Sequence, residues 1–252
     1  LVFLGREHSA DEALAALGQA EHHFRRLSID LIYARKDQTI DGWKDEIRQA
    51  LDLGITHMSV YQLTIEPGTV FFTRARRGEV LTMDDDHAAD LFEATNQIMA
   101  EAGLPAYEIS NHAKPGEECR HNLTYWRAGD WIGVGPGAHG RMDMHGGRRG
   151  LATRRSPASW LEQVETEGHG IETILEDGTG DAVAEALMMG LRLAEGVDLA
   201  ALSDRFDDLT LHIDMAAHDR LIANGPHAAE AGTRRVPRQG RVVMDRSHAG
   251  RL

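Results

Sequence analysis

Helix-type and strand-type segments alternate over the first quarter of the chain. Residues 10–25 are rich in alanine and leucine at helical spacing, and Ser9 stands before them as a cap. Residues 27–34 (LSIDLIYA) are β-prone, 41–53 again follow a helical pattern, and 57–64 (HMSVYQLT) form a second strand-type segment. This order predicts an α/β fold with parallel strands joined by helical crossovers. Functional groups in such sheets lie at the C-terminal ends of the strands.

Further along, the pattern changes to a long helix followed by short strands and turns. A helix is predicted over 82–103, because acidic residues occupy its first turn and Gly103 stands at its end. Strands are predicted at 106–110 and 130–134, and 141–155 resembles an arginine-rich hairpin.

The last hundred residues follow a mostly helical pattern. From residue 156 onward, helices are predicted at 179–194 and 198–206. A helix near 213–224 with a possible hairpin after it is typical of a small winged-helix-like unit.

The charge and the cysteine content exclude several classes of protein. The formal net charge of −13 argues against nucleic-acid binding, because a phosphate backbone would be repelled. The single cysteine excludes an intrachain disulfide framework and is consistent with a reducing cytoplasm. The chain opens without methionine and without a signal-peptide pattern, so we expect a piece of a longer protein.

Three features could indicate binding sites, and each also has a structural explanation. Asp30 stands inside an apolar strand, so it should face a ligand, a partner or a loop; a salt bridge or strand-end cap would explain it equally. Residues 84–87 (DDDH) could bind a hard metal, although acids at a helix start explain them more simply. The G-x-G-x-x-G run at 135–140 contains a proline and precedes no apolar helix, which favours a tight loop over a dinucleotide site.

The sharpest cluster is the segment CRHNLTYW, residues 119–126. Histidine is a common axial ligand of heme iron, and His121 is followed by Tyr125 and Trp126, whose rings could pack against a macrocycle. A partly buried histidine in an aromatic core is the alternative. Cys119 and His121 are too few for a structural zinc site, which requires four ligands.

Several sequence blocks occur in an order that resembles a known family. They are LGREHS (4–9), SIDLIYAR (28–35), SVYQLTIEPGT (59–69), YEISNHAKPGEECRHNLTYW (107–126) and GVGPGAHG (133–140). Together they are similar to the HemW branch of the radical S-adenosylmethionine (SAM) proteins. HemW proteins are heme chaperones related to oxygen-independent coproporphyrinogen III oxidase.

The resemblance implies a fold with three regions. Residues 1–66 would be the end of a partial (β/α)₆ radical SAM barrel, and 67–155 a family-specific α+β region. Residues 156–252 would be a mostly helical, winged-helix-like C-terminal domain.

The resemblance also implies ligands for particular residues. Arg6 and Asp30 match positions that contact SAM in the family, and Tyr61 matches a position near the adenine. The family's H-N-x-x-Y-W motif, which is associated with heme binding, corresponds here to His121, Asn122, Tyr125 and Trp126. His121 would be the ligand of the heme iron, and the motif favours a chaperone over an oxidase.

The chain departs from the family pattern in three places. A radical SAM protein holds its [4Fe–4S] cluster with a C-x-x-x-C-x-x-C loop, whereas this chain has only Cys119. Lys36 and Asp37 stand where the family usually has Pro-Gly, and the tail after about residue 225 diverges. We expect no cluster ligands and no catalytic residue in this chain, and we expect SAM and the cluster to act in the complete protein.

The resulting expectation is a cytoplasmic heme chaperone that binds heme and delivers it to heme-accepting proteins. A radical SAM coproporphyrinogen III oxidase and an inactive fragment are the alternatives. Neither nucleic acid nor a membrane is an expected partner.

Overall fold

A computed structural model describes residues 1–144, 147–176 and 179–206, together with residues 214, 216 and 235–236. The chain forms two compact units, Leu1–Cys119 and Arg120–Leu252. None of the helices in these described ranges is long and apolar enough to cross a membrane.

The first unit contains a three-stranded sheet with neighbouring helices. The strands are β1 (Ser28–Tyr33), β2 (His57–Gln62) and β3 (Asn111–Ala113), in that order. β1 and β2 are parallel and β3 is antiparallel to β2. A short 3-10 helix covers Val2–Leu4, and the α-helices are α1 (Ala10–Glu21), α2 (Ile40–Leu51), α3 (Val70–Arg76) and α4 (Asp85–Glu101).

The core of this unit lies between one face of the sheet and helices α2 and α4. Alternate strand residues such as Met58 and Val60 are buried there against Ile47 and Leu91. Each such side chain contributes roughly 1.5–3 kcal/mol when fully buried. The remaining face of the sheet is therefore available for polar side chains.

The second unit is built around an antiparallel sheet. Its strands are β4 (His139–Met144), β5 (Gly147–Thr153) and β6 (Ile171–Glu176), and a separate short pair joins β7 (Val197–Asp198) to β8 (Arg235–Val236). Its helices are α5 (Arg120–Trp126), α6 (Pro157–Glu167), α7 (Thr179–Gly190) and α8 (Leu199–Phe206).

The main predicted elements of the α/β fold are confirmed. The parallel pair β1 and β2 and the helices α1, α2 and α4 lie within the predicted ranges or one residue outside them. Ser9 caps α1 as predicted, in a capping box with Glu12. The hairpin of β4 and β5, and helices α7 and α8, also match their predicted regions. The predicted helix at 213–224 lies outside the continuously described ranges.

Two short strands were predicted in the wrong place. The strand predicted at 106–110 is wrong, because the Glu108 carboxylate accepts the Ser110 N–H at 2.8 Å and the chain bends, so that β3 begins only at Asn111. The strand predicted at 130–134 reduces to one bridge between Trp131 and Arg141.

Two elements were not predicted. β6 is a strand in a region predicted to be mostly helical, and α3 follows a predicted turn, where the Thr69 hydroxyl accepts the Phe72 N–H at 3.1 Å as its cap. Asp37 has a φ of 59°, a left-handed conformation that explains why a glycine would suit this position.

Candidate functional site

Helix α5 carries the whole H-N-x-x-Y-W segment. His121 and Tyr125 stand four residues apart and therefore share one face of the helix. The Tyr125 Oη and the His121 Nε2 lie 2.6 Å apart, and the two rings meet edge to face with centroids 4.3 Å apart. The His121 side chain is exposed, whereas Tyr125 is half-buried.

A third aromatic ring packs against the Tyr125 ring. Trp131 meets the Tyr125 ring edge to face at a centroid distance of 4.5 Å. The Arg148 guanidinium lies 5.7 Å from the centre of the Trp131 ring. The three rings of His121, Tyr125 and Trp131 thus form a continuous row from solvent into the unit, which we call the aromatic row.

A polar network fixes the segment between α5 and Trp131. Ala128 has a φ of 52°, and the N–H groups of Ala128 and Gly129 donate to the Tyr125 and Thr124 carbonyls at 3.0 and 2.7 Å, which closes the helix. Arg148, whose side chain is only 3% exposed, donates to the Gly129 carbonyl at 2.9 Å and pairs with Asp130 at 3.3 Å. The position of the aromatic row is therefore supported by the charge-assisted contacts of the buried Arg148 side chain.

Trp126 and Asn122 occupy other sides of the same helix. The Arg192 guanidinium lies 4.4 Å from the centre of the Trp126 ring, in a cation–π arrangement. The Trp126 indole Nε1 is buried without a hydrogen-bond partner among the described residues, and Trp126 lines an open cavity of about 490 Å³. The half-buried Asn122 also belongs to α5. Trp126 therefore stands apart from the aromatic row.

The polar face of the first unit's sheet carries two of the residues predicted to contact SAM. In the parallel register, Asp30 of β1 stands opposite Ser59 of β2, and Ile32 stands opposite Tyr61. Paired residues project from the same side of a sheet, so Asp30 and Tyr61 share the face opposite the core. Both side chains are exposed, Tyr61 by 42%.

Arg6 lies between the 3-10 helix and α1, and it is exposed. Within the described residues, no hydrogen bond or ion pair joins Arg6 to Asp30 or Tyr61. The structure therefore brings Asp30 and Tyr61 onto one surface and leaves Arg6 without a direct contact to either.

His57 is a further residue of the polar sheet face, and sequence reasoning missed it. Its Nδ1 lies 2.7 Å from the Ser28 Oγ, and its Nε2 lies 2.9 Å from the Tyr107 Oη. Burial lowers the pKa of the His57 imidazole, and the nearby charge of Arg26 lowers it further. The sequence feature that could have indicated His57 is a histidine inside an apolar strand.

The acidic segment at 84–87 is explained by helix structure. Asp84 caps α4 by accepting the His87 N–H at 3.1 Å, and its carboxylate also contacts the His87 imidazole at 2.7 Å. This hydrogen bond raises the pKa of His87. No group of three or more metal-binding side chains occurs in the part of the chain that the structure describes.

The glycine run contacts its own chain. A Cβ added to Gly133 would lie 2.4 Å from the His139 carbonyl oxygen, and one added to Gly140 would lie 3.0 Å from the Trp131 carbonyl oxygen. Strand β4, not a helix, begins inside the run. Close approach of two backbone segments therefore requires Gly133 and Gly140, whereas Gly135 and Gly137 have the positive φ values of a tight loop.

Comparisons with known proteins show what the chain as a whole is similar to. The family model "HemN C-terminal domain" matches residues 180–243. The chain is 36% identical over 255 residues to the mouse (Mus musculus) radical S-adenosyl methionine domain-containing protein 1, mitochondrial, with 97% of this chain and 57% of that protein covered. It is 38% identical over 194 residues to the heme chaperone HemW of Escherichia coli K12, with 76% and 49% covered. Over most of its length, the chain is similar to HemW-type radical SAM proteins.

The solved structure of coproporphyrinogen III oxidase (HemN) from Escherichia coli, a radical SAM enzyme, shares the fold of this chain. The TM-score is 0.70 at 19% identity, and the match covers 95% of this chain and 58% of that one. The chain spans about half the length of the curated relatives that it matches.

The donor chemistry of this chain suits heme better than an iron–sulfur cluster. The aromatic row presents an imidazole and a phenol, which are both known ligands of heme iron. The cluster of a radical SAM protein needs three thiolates, and these 252 residues supply only the half-buried Cys119.

Proposed function

We propose that this chain is part of a HemW-type heme chaperone and that it binds heme at α5. The observation that carries the proposal is the aromatic row, in which an exposed imidazole shares a helix face with a tyrosine and is backed by a tryptophan. Heme would be the cargo, bound by His121 and packed against the neighbouring aromatic rings. The chaperone would then pass it to heme-accepting proteins. The relatives named as heme chaperones support this assignment.

We also propose that the first unit contributes to a SAM pocket in the complete protein. Asp30 and Tyr61 share the polar face of the parallel strands, which suits contacts to hydroxyl groups and to an adenine ring. The Arg6 guanidinium would suit the methionyl carboxylate. The strands would belong to a partial (β/α)₆ barrel, with a [4Fe–4S] cluster bound outside these residues and a winged-helix-like region at the C-terminus. The expected compartment is the cytoplasm.

Titration of the 252-residue chain with heme tests the main proposal. The Soret band should shift saturably, and His121→Ala should weaken binding by about 10–100-fold, the range seen when groups that support a metal site are removed. His87→Ala is the matched control, because His87 is exposed, pairs with Asp84 and belongs to the first unit, whereas α5 belongs to the second. Equal affinity in the His121→Ala and His87→Ala variants would exclude His121 from the heme site.

Coproporphyrinogen III oxidase activity is the second candidate, favoured by the match to the HemN C-terminal domain at residues 180–243. The full-length gene product should be assayed for propionate decarboxylation under anaerobic, reducing conditions. Turnover of coproporphyrinogen would favour the oxidase, and its absence alongside heme binding would favour the chaperone.

A further inference from the structure

The hydrogen bond between His121 and Tyr125 limits how iron can approach this pair. If the imidazole proton is on Nδ1, the Tyr125 hydroxyl donates to Nε2 at 2.6 Å and occupies its lone pair. If the proton is on Nε2, that nitrogen has no lone pair to offer. In either tautomer, iron can bind the His121 Nε2 only after the hydrogen bond is broken.

The tyrosine oxygen is different, because it keeps a lone pair while the hydrogen bond is intact. We propose that the Tyr125 Oη is the iron ligand when the bound heme is ferric, and that His121 serves as the acceptor of the phenol proton. This inference rests on the proposed function, and it assigns ferric heme as the preferred cargo.

The coordination step balances without any other reagent. In the tautomer with the imidazole proton on Nδ1, the phenol O–H bond breaks, an oxygen lone pair forms the Fe–O bond, and the proton passes to the free lone pair of the His121 Nε2 over the 2.6 Å contact. No electron is transferred. The product is a phenolate on iron beside an imidazolium, joined by a charge-assisted hydrogen bond, and the exposed position of His121 keeps that cation hydrated.

An anionic oxygen ligand favours the ferric state of iron. Hard oxygen donors prefer the more highly charged ion, whereas an imidazole suits both oxidation states, and tyrosine ligates heme iron in catalase. The Tyr125 phenolate also cancels the positive charge of a ferric porphyrin centre. Reduction to the ferrous state removes this charge compensation, and His121 then replaces Tyr125 as the iron ligand.

The rest of the site holds Tyr125 ready for this role. Trp131 packs edge to face against its ring at 4.5 Å, and the 3%-exposed Arg148 packs against Trp131 in turn. The oxygen is therefore held by a packed ring beside the exposed His121, and little side-chain entropy remains to be lost on binding.

The chain contains a second histidine–tyrosine pair that serves as a control. The His57 Nε2 and the Tyr107 Oη lie 2.9 Å apart, but His57 is only 7% exposed and also contacts Ser28. This pair has the same chemistry without access for a macrocycle, so Tyr107→Phe should leave every heme spectrum unchanged.

The test is absorption and electron paramagnetic resonance spectroscopy of the 252-residue chain with ferric heme, and then after reduction with dithionite. The wild-type ferric complex should show a phenolate-to-iron charge-transfer band and a high-spin signal. Tyr125→Phe should lose the charge-transfer band and weaken ferric binding by at least about tenfold, while its ferrous affinity changes less than threefold. His121→Ala should keep the phenolate band and bind ferric heme about 10–100-fold more weakly.

Each other outcome contradicts a specific claim. A ferric wild-type spectrum of histidine ligation that Tyr125→Phe leaves unchanged would overturn the tyrosine assignment and leave the heme-binding proposal standing. Failure of the wild type to bind heme saturably would overturn both. If Tyr125→Phe does not fold, resonance Raman spectra of the wild-type complex with isotopically labelled tyrosine decide the matter, because iron-bound tyrosinate vibrations either shift with the label or are absent.

Discussion

At the scale of single residues, the two hydrogen bonds of the buried His57 side chain depend on the protonation state of its imidazole. Both of its ring nitrogens have side-chain partners, Ser28 and Tyr107, and the residue is almost fully buried in β2. The neutral imidazole can accept one hydrogen bond and donate another, so it satisfies both contacts. Burial followed by the charge of Arg26 keeps the pKa of His57 below the ordinary value of 6.5.

The lowered pKa of His57 predicts a pH-dependent stability of the first unit. Because the unfolded chain takes up the proton first, this contribution is complete above pH 6.5 and is lost as the pH falls from 6.5 toward the folded pKa. Replacing His57 with Gln should lower stability at neutral pH but flatten the decline below pH 6.5. Thermal unfolding measured across pH 5–8, about the range in which histidine titrates, checks this.

His87 provides the opposite sign as a control. Its pKa is raised by the hydrogen bond to Asp84, so its contribution is present at low pH and is lost as the pH rises through the folded pKa. A His87→Gln variant should therefore retain the acid-side decline. If His87→Gln flattened the acid-side decline in stability as much as His57→Gln is expected to, the decline would not arise from His57.

At the scale of secondary-structure elements, the glycine run between Trp131 and β4 sets how closely two segments can pack. Gly133 lies so near His139 that an added methyl group would overlap the backbone carbonyl. The glycine therefore does not serve turn formation alone. It allows the Trp131 segment to bridge to β4, and so helps to position the tryptophan behind Tyr125.

Replacing Gly133 with Ala should lower the free energy of unfolding of the second unit by about 1–3 kcal/mol, because the methyl group must displace backbone atoms. Urea unfolding, together with hydrogen exchange of the β4 and β5 amides, measures the effect. Gly18→Ala is the control, since Gly18 lies in α1 with nothing within 4 Å of an added Cβ. That change should stabilise by about 0.5–1 kcal/mol. Unaltered β4 exchange in Gly133→Ala would contradict the packing argument.

Local sequence patterns are sufficient to predict some of the helices and strands but not others. β1, β2, α2 and α4 follow from local periodicity and capping, because each buries a stripe that is visible in the sequence. The bend at Glu108 and the single bridge at Trp131 depend on contacts made after folding, so their strand-like composition was misleading. The sequence predicted a cluster of His121, Tyr125 and Trp126, whereas the structure joins His121 to Tyr125 and leaves Trp126 on another side of the helix, a distinction that required the helix geometry.

At the scale of the whole molecule, the chain combines two units that carry different parts of the proposed chemistry. The polar sheet face with Asp30 belongs to Leu1–Cys119, and the aromatic row belongs to Arg120–Leu252. The chain also spans about half the length of its HemW-type relatives. Heme binding at α5 should therefore not require an iron–sulfur cluster.

The 252-residue chain should bind no stoichiometric [4Fe–4S] cluster, because a site-differentiated cluster needs three thiolates and the chain has one cysteine. Iron and sulfide content after anaerobic reconstitution should stay well below one cluster per chain, while the heme titration still saturates. A full cluster per chain would show that non-thiolate ligands replace the missing cysteines.

The two donor atoms of the heme pair come from adjacent turns of one short helix, so their separation is a property of local geometry. One extra residue inserted between positions 121 and 125 would rotate the second side chain by about 100° around the helix axis and part the two atoms. Conversely, the same spacing placed on a solvent-facing helix of another protein would reproduce the contact. A single insertion would therefore break the histidine–tyrosine contact, and two substitutions in a helix of another protein would be enough to reproduce it.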